Sequence, residues 1–298
     1  MINSVSDNKN RSKVFDMNNN NIILNRFFTR NTLWDLINRT GSGLYEFCVQ
    51  EYSLENSNTT NKEMITRIYR HLMKEYRNEY YYKNTLLNKL LLGRYSLNTT
   101  TALSEVSISR SKADFILING KGIVYEIKTE LDSFERLDSQ INDYYKAFRQ
   151  VCVVTSESNY EKIRTMLINT PVGICVLTKR NTISMRKEPE DFNYSLEHTV
   201  MFKVLRKIEY ENILLNHYGQ LPNTTQVNYF KACLEWFKNI EINTAHSYMI
   251  GELKKRNIKE VDEYKKVPYE LKFLVYFSRF KKKDYTKLNA FLNEPWRG

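Results

Sequence analysis

Four charged side chains in the middle of the chain have a spacing that chemistry could use. Glu105, Asp114, Glu126 and Lys128 sit in three short β-type runs, Leu103 to Ile108, Ala113 to Ile118 and Ile123 to Lys128, separated by Ser109-Arg110 and Asn119-Gly120. A three-residue loop at Asn119-Gly120-Lys121 pairs Ile118 with Gly122, and counting outward four on each side sets Asp114 opposite Glu126. A strict two-residue turn would send them to opposite faces, so the pairing requires the longer loop or a bulge. In the preceding hairpin, pairing Ile108 with Ser111 sets Glu105 opposite Asp114. Three carboxylates then form one row.

Such a row needs compensation. Two like charges about 5 Å apart repel by roughly 3 kcal/mol at an effective dielectric of 20, and opposed like charges disfavour strand pairing. Mg²⁺ or Mn²⁺ would neutralise them, because hard cations take carboxylate oxygens and water and leave positions for phosphate. Lys128 lies two residues past Glu126 and shares its face, where an ammonium could stabilise charge on an attacked phosphate or position a water. These parts suit phosphodiester hydrolysis. The plain alternative is that Asp114 ends a strand in solvent while Glu126 and Lys128 decorate an outer face. Against it, the run Ile123-Val124-Tyr125-Glu126-Ile127-Lys128 has the composition of a central strand, where unneutralised carboxylates are unexpected.

The elements that must hold these groups follow from patterning. A capping box, Thr60-Asn61-Lys62-Glu63, opens a helix whose apolar stripe runs from Met64 to Tyr76. A second helix, about Tyr82 to Leu92, stops near Gly93. After the three-strand meander, Asp132-Ser133-Phe134-Glu135 reads as the capped start of a helix to about Arg149. That helix presents Arg136, Gln140 and Tyr144 on one face at i, i+4 and i+8, either toward the carboxylates or toward solvent. Strand, helix and a terminal strand pair follow, over Val151 to Thr155, Tyr160 to Asn169, Val172 to Thr178 and Ile183 to Arg186.

Beyond about Ser195 the pattern is helical, with a stripe at Val227, Phe230, Leu234 and Phe237 and a Pro268-led helix. The expected class is therefore α/β (α+β): a central mixed sheet flanked by helices, with a helical C-terminal extension. The expected divisions are a flexible tail over 1–20, an N-terminal helical region over 21–100, a catalytic core over 101–190 and a basic helical accessory domain over 191–298.

The segment from Glu105 through Thr155 resembles the PD-(D/E)XK nuclease core. Asp114 matches the acid of its second strand and Glu126-Ile127-Lys128 its ExK element, while Gln140-Ile141-Asn142-Asp143-Tyr144 resembles the QxxxY motif of the RecB-like branch. The run Ser111-Lys112-Ala113-Asp114, Ile118-Asn119-Gly120, Tyr125 to Lys128, Asp132-Ser133, Arg136-Leu137, Gln140 and Tyr144 is similar to a family of bacterial PD-(D/E)XK-like proteins often encoded on mobile elements. Ser-Lys-Ala stands before Asp114, so the proline of the family name is missing.

The resemblance implies a restriction-endonuclease-like sheet and a metal-dependent nuclease. Asp114 and Glu126 would bind the ion, with the Ile127 carbonyl as a backbone ligand and Lys128 as catalytic lysine. Gln140 and Tyr144 would orient the site or the DNA. The family also has an upstream acid; Glu79 is a candidate, and strand geometry favours Glu105.

Composition sets the surroundings. In 298 residues, 45 Lys and Arg against 34 Asp and Glu leave a net charge of +11, which draws the chain toward polyanions. DNA is the expected partner ahead of RNA, and a homodimer or a partner protein is left open. Lys254-Lys255-Arg256 and Arg279 to Lys283 could touch nucleic acid or simply face solvent. Cys48, Cys152, Cys175 and Cys233 form no CxxC pair, the four His are isolated, and no GxxxxGK[ST] loop occurs, so neither a zinc site nor a P-loop is expected. With no apolar leader and no apolar run of membrane length, a cytoplasmic setting is expected. The alternative function is a catalytically inactive nuclease-fold protein that binds nucleic acid or a phage component; an RNase toxin would share the same residues.

Overall fold

The computed structural model describes residues 22–41, 43–52 and 59–296; the tail expected over 1–20 lies outside them. The chain opens with helices α1 (22–27), α2 (Arg30–Asn38), α3 (Leu44–Tyr52), α4 (Asn61–Glu75) and α5 (Glu79–Leu86), and α5 runs directly into a π-helical segment, Leu87–Arg94. Strands β1 (Thr101–Ile108), β2 (Ser111–Asn119) and β3 (Lys121–Lys128) lead to α6 (Leu137–Tyr145), β4 (Gln150–Ser156), α7 (Tyr160–Leu167), β5 (Gly173–Leu177) and β6 (Ile183–Lys187). Helices α8 (His198–Val204), α9 (Lys207–Tyr218), α10 (Gln226–Lys238), α11 (Ile242–Lys254), α12 (Val261–Lys265), α13 (Lys272–Ser278) and α14 (Lys282–Asn293) follow, with a 3₁₀ turn at Tyr269–Leu271.

These elements form two compact units, one joining the chain up to Asn84 with Glu260 onward, the other spanning Thr85–Lys259. The elements described in the first are helices, with an isolated bridge between Thr60 and Pro295. Its α4 starts with the capping box that the sequence predicts: the Thr60 amide donates to Glu63 Oε2 at 2.9 Å, and Thr60 Oγ1 accepts from the Glu63 amide. Met64, Ile65, Ile68, Tyr69 and Leu72 fill one stripe and are buried, which is why α4 packs rather than frays. Buried Asn84 ties the two chain segments of this unit. Its amide nitrogen donates to Tyr69 Oη and the Tyr269 carbonyl, and its oxygen accepts from the Phe273 amide.

The second unit holds a six-stranded sheet in the order β1-β2-β3-β4-β5-β6. β1, β2 and β3 form an antiparallel meander, β3, β4 and β5 run parallel, and β6 returns antiparallel. The crossovers α6 and α7 are what allow parallel neighbours. The loop between β2 and β3 is the three-residue form: Ile118 pairs with Gly122, Asn119 with Lys121, and Gly120 adopts φ 71°, a conformation that costs glycine little.

Residues 191–259 do not stand apart as an accessory domain. Val200, Met201, Phe202, Leu214, Phe237, Met249, Ile250 and Leu253 share one core with Ile116, Ile118, Val124, Val151 and Val153 of the sheet. Their apolar stripes cover that sheet face, and Gly122 lets α11 approach: a Cβ there would lie 2.7 Å from Ile250 and 2.8 Å from Phe148. The division expected at residue 191 therefore differs from the observed one near residue 260. The stripe expected on α10 also shifts: Cys233 and Phe237 are buried, whereas Val227 is 92% exposed. All four cysteines are free and buried, as small hydrophobes commonly are.

Candidate functional site

Strand alternation sends Ile116, Ile118 and Val124 into the core beneath α6, and further along the same face come Asp114, two residues from Ile116, and Glu126 and Lys128, two and four residues past Val124. Glu126 is 2% exposed, so its charge must be met inside the protein. Lys128 Nζ donates to Glu126 Oε1 at 3.0 Å and to Gln140 Oε1 at 2.9 Å. Gln140 Nε2 donates to Glu126 Oε1 at 2.6 Å. Tyr144 Oη lies 2.6 Å from Glu126 Oε2 and 3.1 Å from the Lys112 carbonyl. A phenol has one proton, and the shorter, charge-assisted bond to the carboxylate takes it. Burial first, and then the Glu126 charge, push the Tyr144 phenol well above its ordinary pKa, so it stays a donor.

Asp114 sits where the ladder between β2 and β3 ends at Phe115↔Tyr125. Its Oδ2 accepts from the Ile127 amide at 2.9 Å, replacing a backbone partner with a side chain. A strand residue projects its N–H and C=O to the same side, so the Ile127 carbonyl also faces the Asp114 side. The register of β1 continues through the Glu105 and Asp114 pair, from Ser104↔Phe115 to Val106↔Ala113, as the hairpin count predicts. Glu105 itself departs from a regular strand, with φ 57°. For a non-glycine residue that conformation costs about 1–2 kcal/mol. Carboxylate oxygens of Glu105 and Asp114 come within 4.8 Å of each other, and Glu105 also pairs with Lys112 at 2.6 Å.

Each carboxylate of the row thus has its own partner in the protein: Lys112 for Glu105, the Ile127 amide for Asp114, and Lys128 with Gln140 and Tyr144 for Glu126. The repulsion that called for an ion in the sequence is already met by protein groups. Arg136 does not join Gln140 and Tyr144 on the site; it is the exposed N-cap of α6. Glu79 belongs to the helical unit, where it ion-pairs with Lys83. The capped helix start expected at Asp132 is instead a tight turn, since Asp132 Oδ2 accepts from the Thr129 amide and hydroxyl, each at 2.7 Å, and α6 begins only at Leu137.

Three supporting residues were not singled out in the sequence. Lys112 carries a signal, lying two before Asp114 on the same face. Thr155 holds the Lys128 carbonyl at 2.9 Å from β4, and nothing local to its sequence indicates that. Asp143 accepts from Ser111 Oγ at 2.8 Å and from the Arg110 amide at 3.3 Å, pinning the tip of the β1-β2 hairpin to α6. Burial acts to raise its carboxyl, but the bonds from Ser111, Ser109 and the Arg110 amide outweigh burial and hold it below the usual range.

The fold and site define an α/β protein with a mixed sheet, flanking helices and a buried Glu-Lys-Gln-Tyr network at one end of the central strands. The chain belongs to the family described as bacteriophage P4 protein cII, which matches residues 73–272 and so contains every residue of this network. Protein cII of Enterobacteria phage P4 is 25% identical over 165 residues, covering 54% of this chain and 61% of that protein. The chain thus spans less than two thirds of the length of that relative. No solved structure matches.

Proposed function

We propose that the sheet-bearing unit is a metal-dependent nuclease of the PD-(D/E)XK superfamily that hydrolyses phosphodiester bonds, in DNA ahead of RNA. The observation that carries this reading is the convergence of Glu126, Lys128, Gln140 and Tyr144 from β3 and α6 beside Asp114, in the roles that the resemblance assigns them. The donor set suits Mg²⁺ or Mn²⁺. Glu105 and Asp114 offer hard carboxylate oxygens within 4.8 Å of each other, the ligand type that these small, hard cations take. Glu126 and the Ile127 carbonyl complete the oxygen donors on that side. Bound there, the ion would supply Lewis-acid polarisation of a phosphate and a more acidic water.

The chain's own groups do the remaining work. Lys128 brings positive charge to the place where phosphate oxygens gain negative charge, and its contact with Gln140 fixes its direction. Tyr144 and Gln140 hold the Glu126 carboxylate in one orientation. Membership of a family named after a phage protein fits a setting in phage defence or mobile-element conflict. A cytoplasmic location suits DNA as substrate, and among the described residues no helix is long and apolar enough to cross a membrane.

One observation favours a second reading, a nuclease-fold protein without turnover that binds nucleic acid or a phage component. Both Glu126 oxygens are already engaged by protein donors. The test that separates the two is digestion of linear, circular and single-stranded DNA and of RNA, with Mg²⁺ or with EDTA. Cleavage that requires Mg²⁺ and disappears in Glu126→Gln supports the nuclease. Cleavage unchanged in Glu126→Gln, or none on any substrate, overturns it.

A further inference from the structure

On helix α4 the buried stripe has an opposite face, and that face is unusual for its charge. Lys62, Arg70 and Lys74 are exposed and Arg67 half-exposed. At 100° and 1.5 Å per residue these cations fall within roughly 140° of the helix and along about 18 Å of its axis. Several helix cations elsewhere find carboxylates one turn away: Arg164 with Glu161, Lys238 with Glu235, Lys265 with Asp262 and Lys266 with Glu263. Among the described residues no ion pair joins Lys62, Arg67, Arg70 or Lys74 to any carboxylate. The one acid on the arc, Glu63, is turned to the helix start, where Oε2 accepts from the Thr60 amide and hydroxyl. Glu51 and Glu75 gather about His71, on the flank.

We infer that this face of α4 docks the phosphate backbone of double-stranded nucleic acid. Four cations against the single carboxylate of Glu63, which feels Arg67 and Lys62, leave a net positive row that is repulsive alone and gains by releasing the counterions of a polyanion. A membrane surface fits poorly, because an interfacial helix needs apolar residues to insert and those of α4 are buried in its own unit. Single strands fit poorly too, since they are held by stacking on exposed aromatics and the residues among the cations of this arc, Glu63, Thr66 and Met73, include no aromatic. Lys62, Arg67 and Arg70 lie outside the stretch that matches the phage family. The inference does not rest on hydrolysis, and binding in EDTA would persist in a chain that cuts nothing.

The experiment is fluorescence anisotropy of a short labelled duplex with the full chain in EDTA, at several salt concentrations. The same strand alone and phosphatidylserine vesicles serve as competitors. Lys62→Gln/Arg70→Gln/Lys74→Gln should weaken duplex binding at least about tenfold and lower the slope of log K against log salt by about three, one for each lost phosphate contact. Lys238→Gln/Lys265→Gln/Lys266→Gln removes the same charge from paired positions and should bind nearly as the parent does. All six substitutions are at the surface, and matching thermal melts establish that both variants fold. Equal losses in the two variants, no duplex binding by the parent, or more effective competition by single strand or vesicles would overturn the inference.

Discussion

The Glu126 and Lys128 pair is the energetic hinge of the site. Both side chains are nearly excluded from water, at 2% and 10% exposure, so each depends on the other and on Gln140 and Tyr144 for its charge. Removing one partner of such a pair costs about 3–5 kcal/mol, whereas replacing both with apolar groups costs far less. Lys128→Met should therefore lower stability in urea by that amount, and Lys128→Met/Glu126→Leu should recover most of it. Equal stabilities for the two variants would show that Glu126 is not held by Lys128. A second buried group sets an acid limit. His246 has no partner for Nε2, and burial first, then the Arg149 charge, lower its pKa to about 4. The unfolded chain takes up that proton below about 6.5 and the folded chain only below about 4, so stability falls as pH drops through that window. His246→Gln should flatten that part of the stability profile; a profile identical to the parent's would contradict the assignment.

Among the elements, the β1-β2 hairpin sets the register of Glu105 and Asp114, and Asp143 fixes the hairpin tip from α6. Asp143→Ala leaves the Ser111 hydroxyl and the Arg110 amide without their acceptor. It should cost about 1–3 kcal/mol and speed hydrogen exchange at Arg110, while the rest of the sheet keeps its protection. Unchanged exchange at the hairpin would remove Asp143 from this role. The meander was legible in sequence because strand alternation marks it locally, but its three-residue loop was not, since Asn-Gly equally suits a two-residue turn, and the opposition of Asp114 and Glu126 was conditional on the longer form that the structure has. The left-handed Glu105, the turn at Asp132 and the π-helical run after Leu86 were not legible either, since each depends on hydrogen bonds that no periodicity encodes. Patterning left the polar face of α6 open between the carboxylates and solvent: Gln140 and Tyr144 reach Glu126, whereas Arg136 precedes the helix and stays in water.

At the scale of the whole molecule, the basic helical extension expected after residue 191 is divided between two jobs. Residues up to Lys259 complete the sheet's core, and Glu260 onward joins the N-terminal helices. Sequence patterning finds amphipathic helices but does not say which neighbour each stripe will meet, and that is why this boundary was misplaced. The net charge of +11 belongs to the full chain. The proposed function rests on a narrower premise, that acidic groups on β1, β2 and β3 would hold a divalent cation beside the phosphodiester. Calorimetric titration of the full chain with Mn²⁺, with and without a short duplex, tests it most directly. The account predicts saturable uptake that is lost in Asp114→Asn; a silent titration in both conditions, or uptake unchanged in that variant, would contradict it.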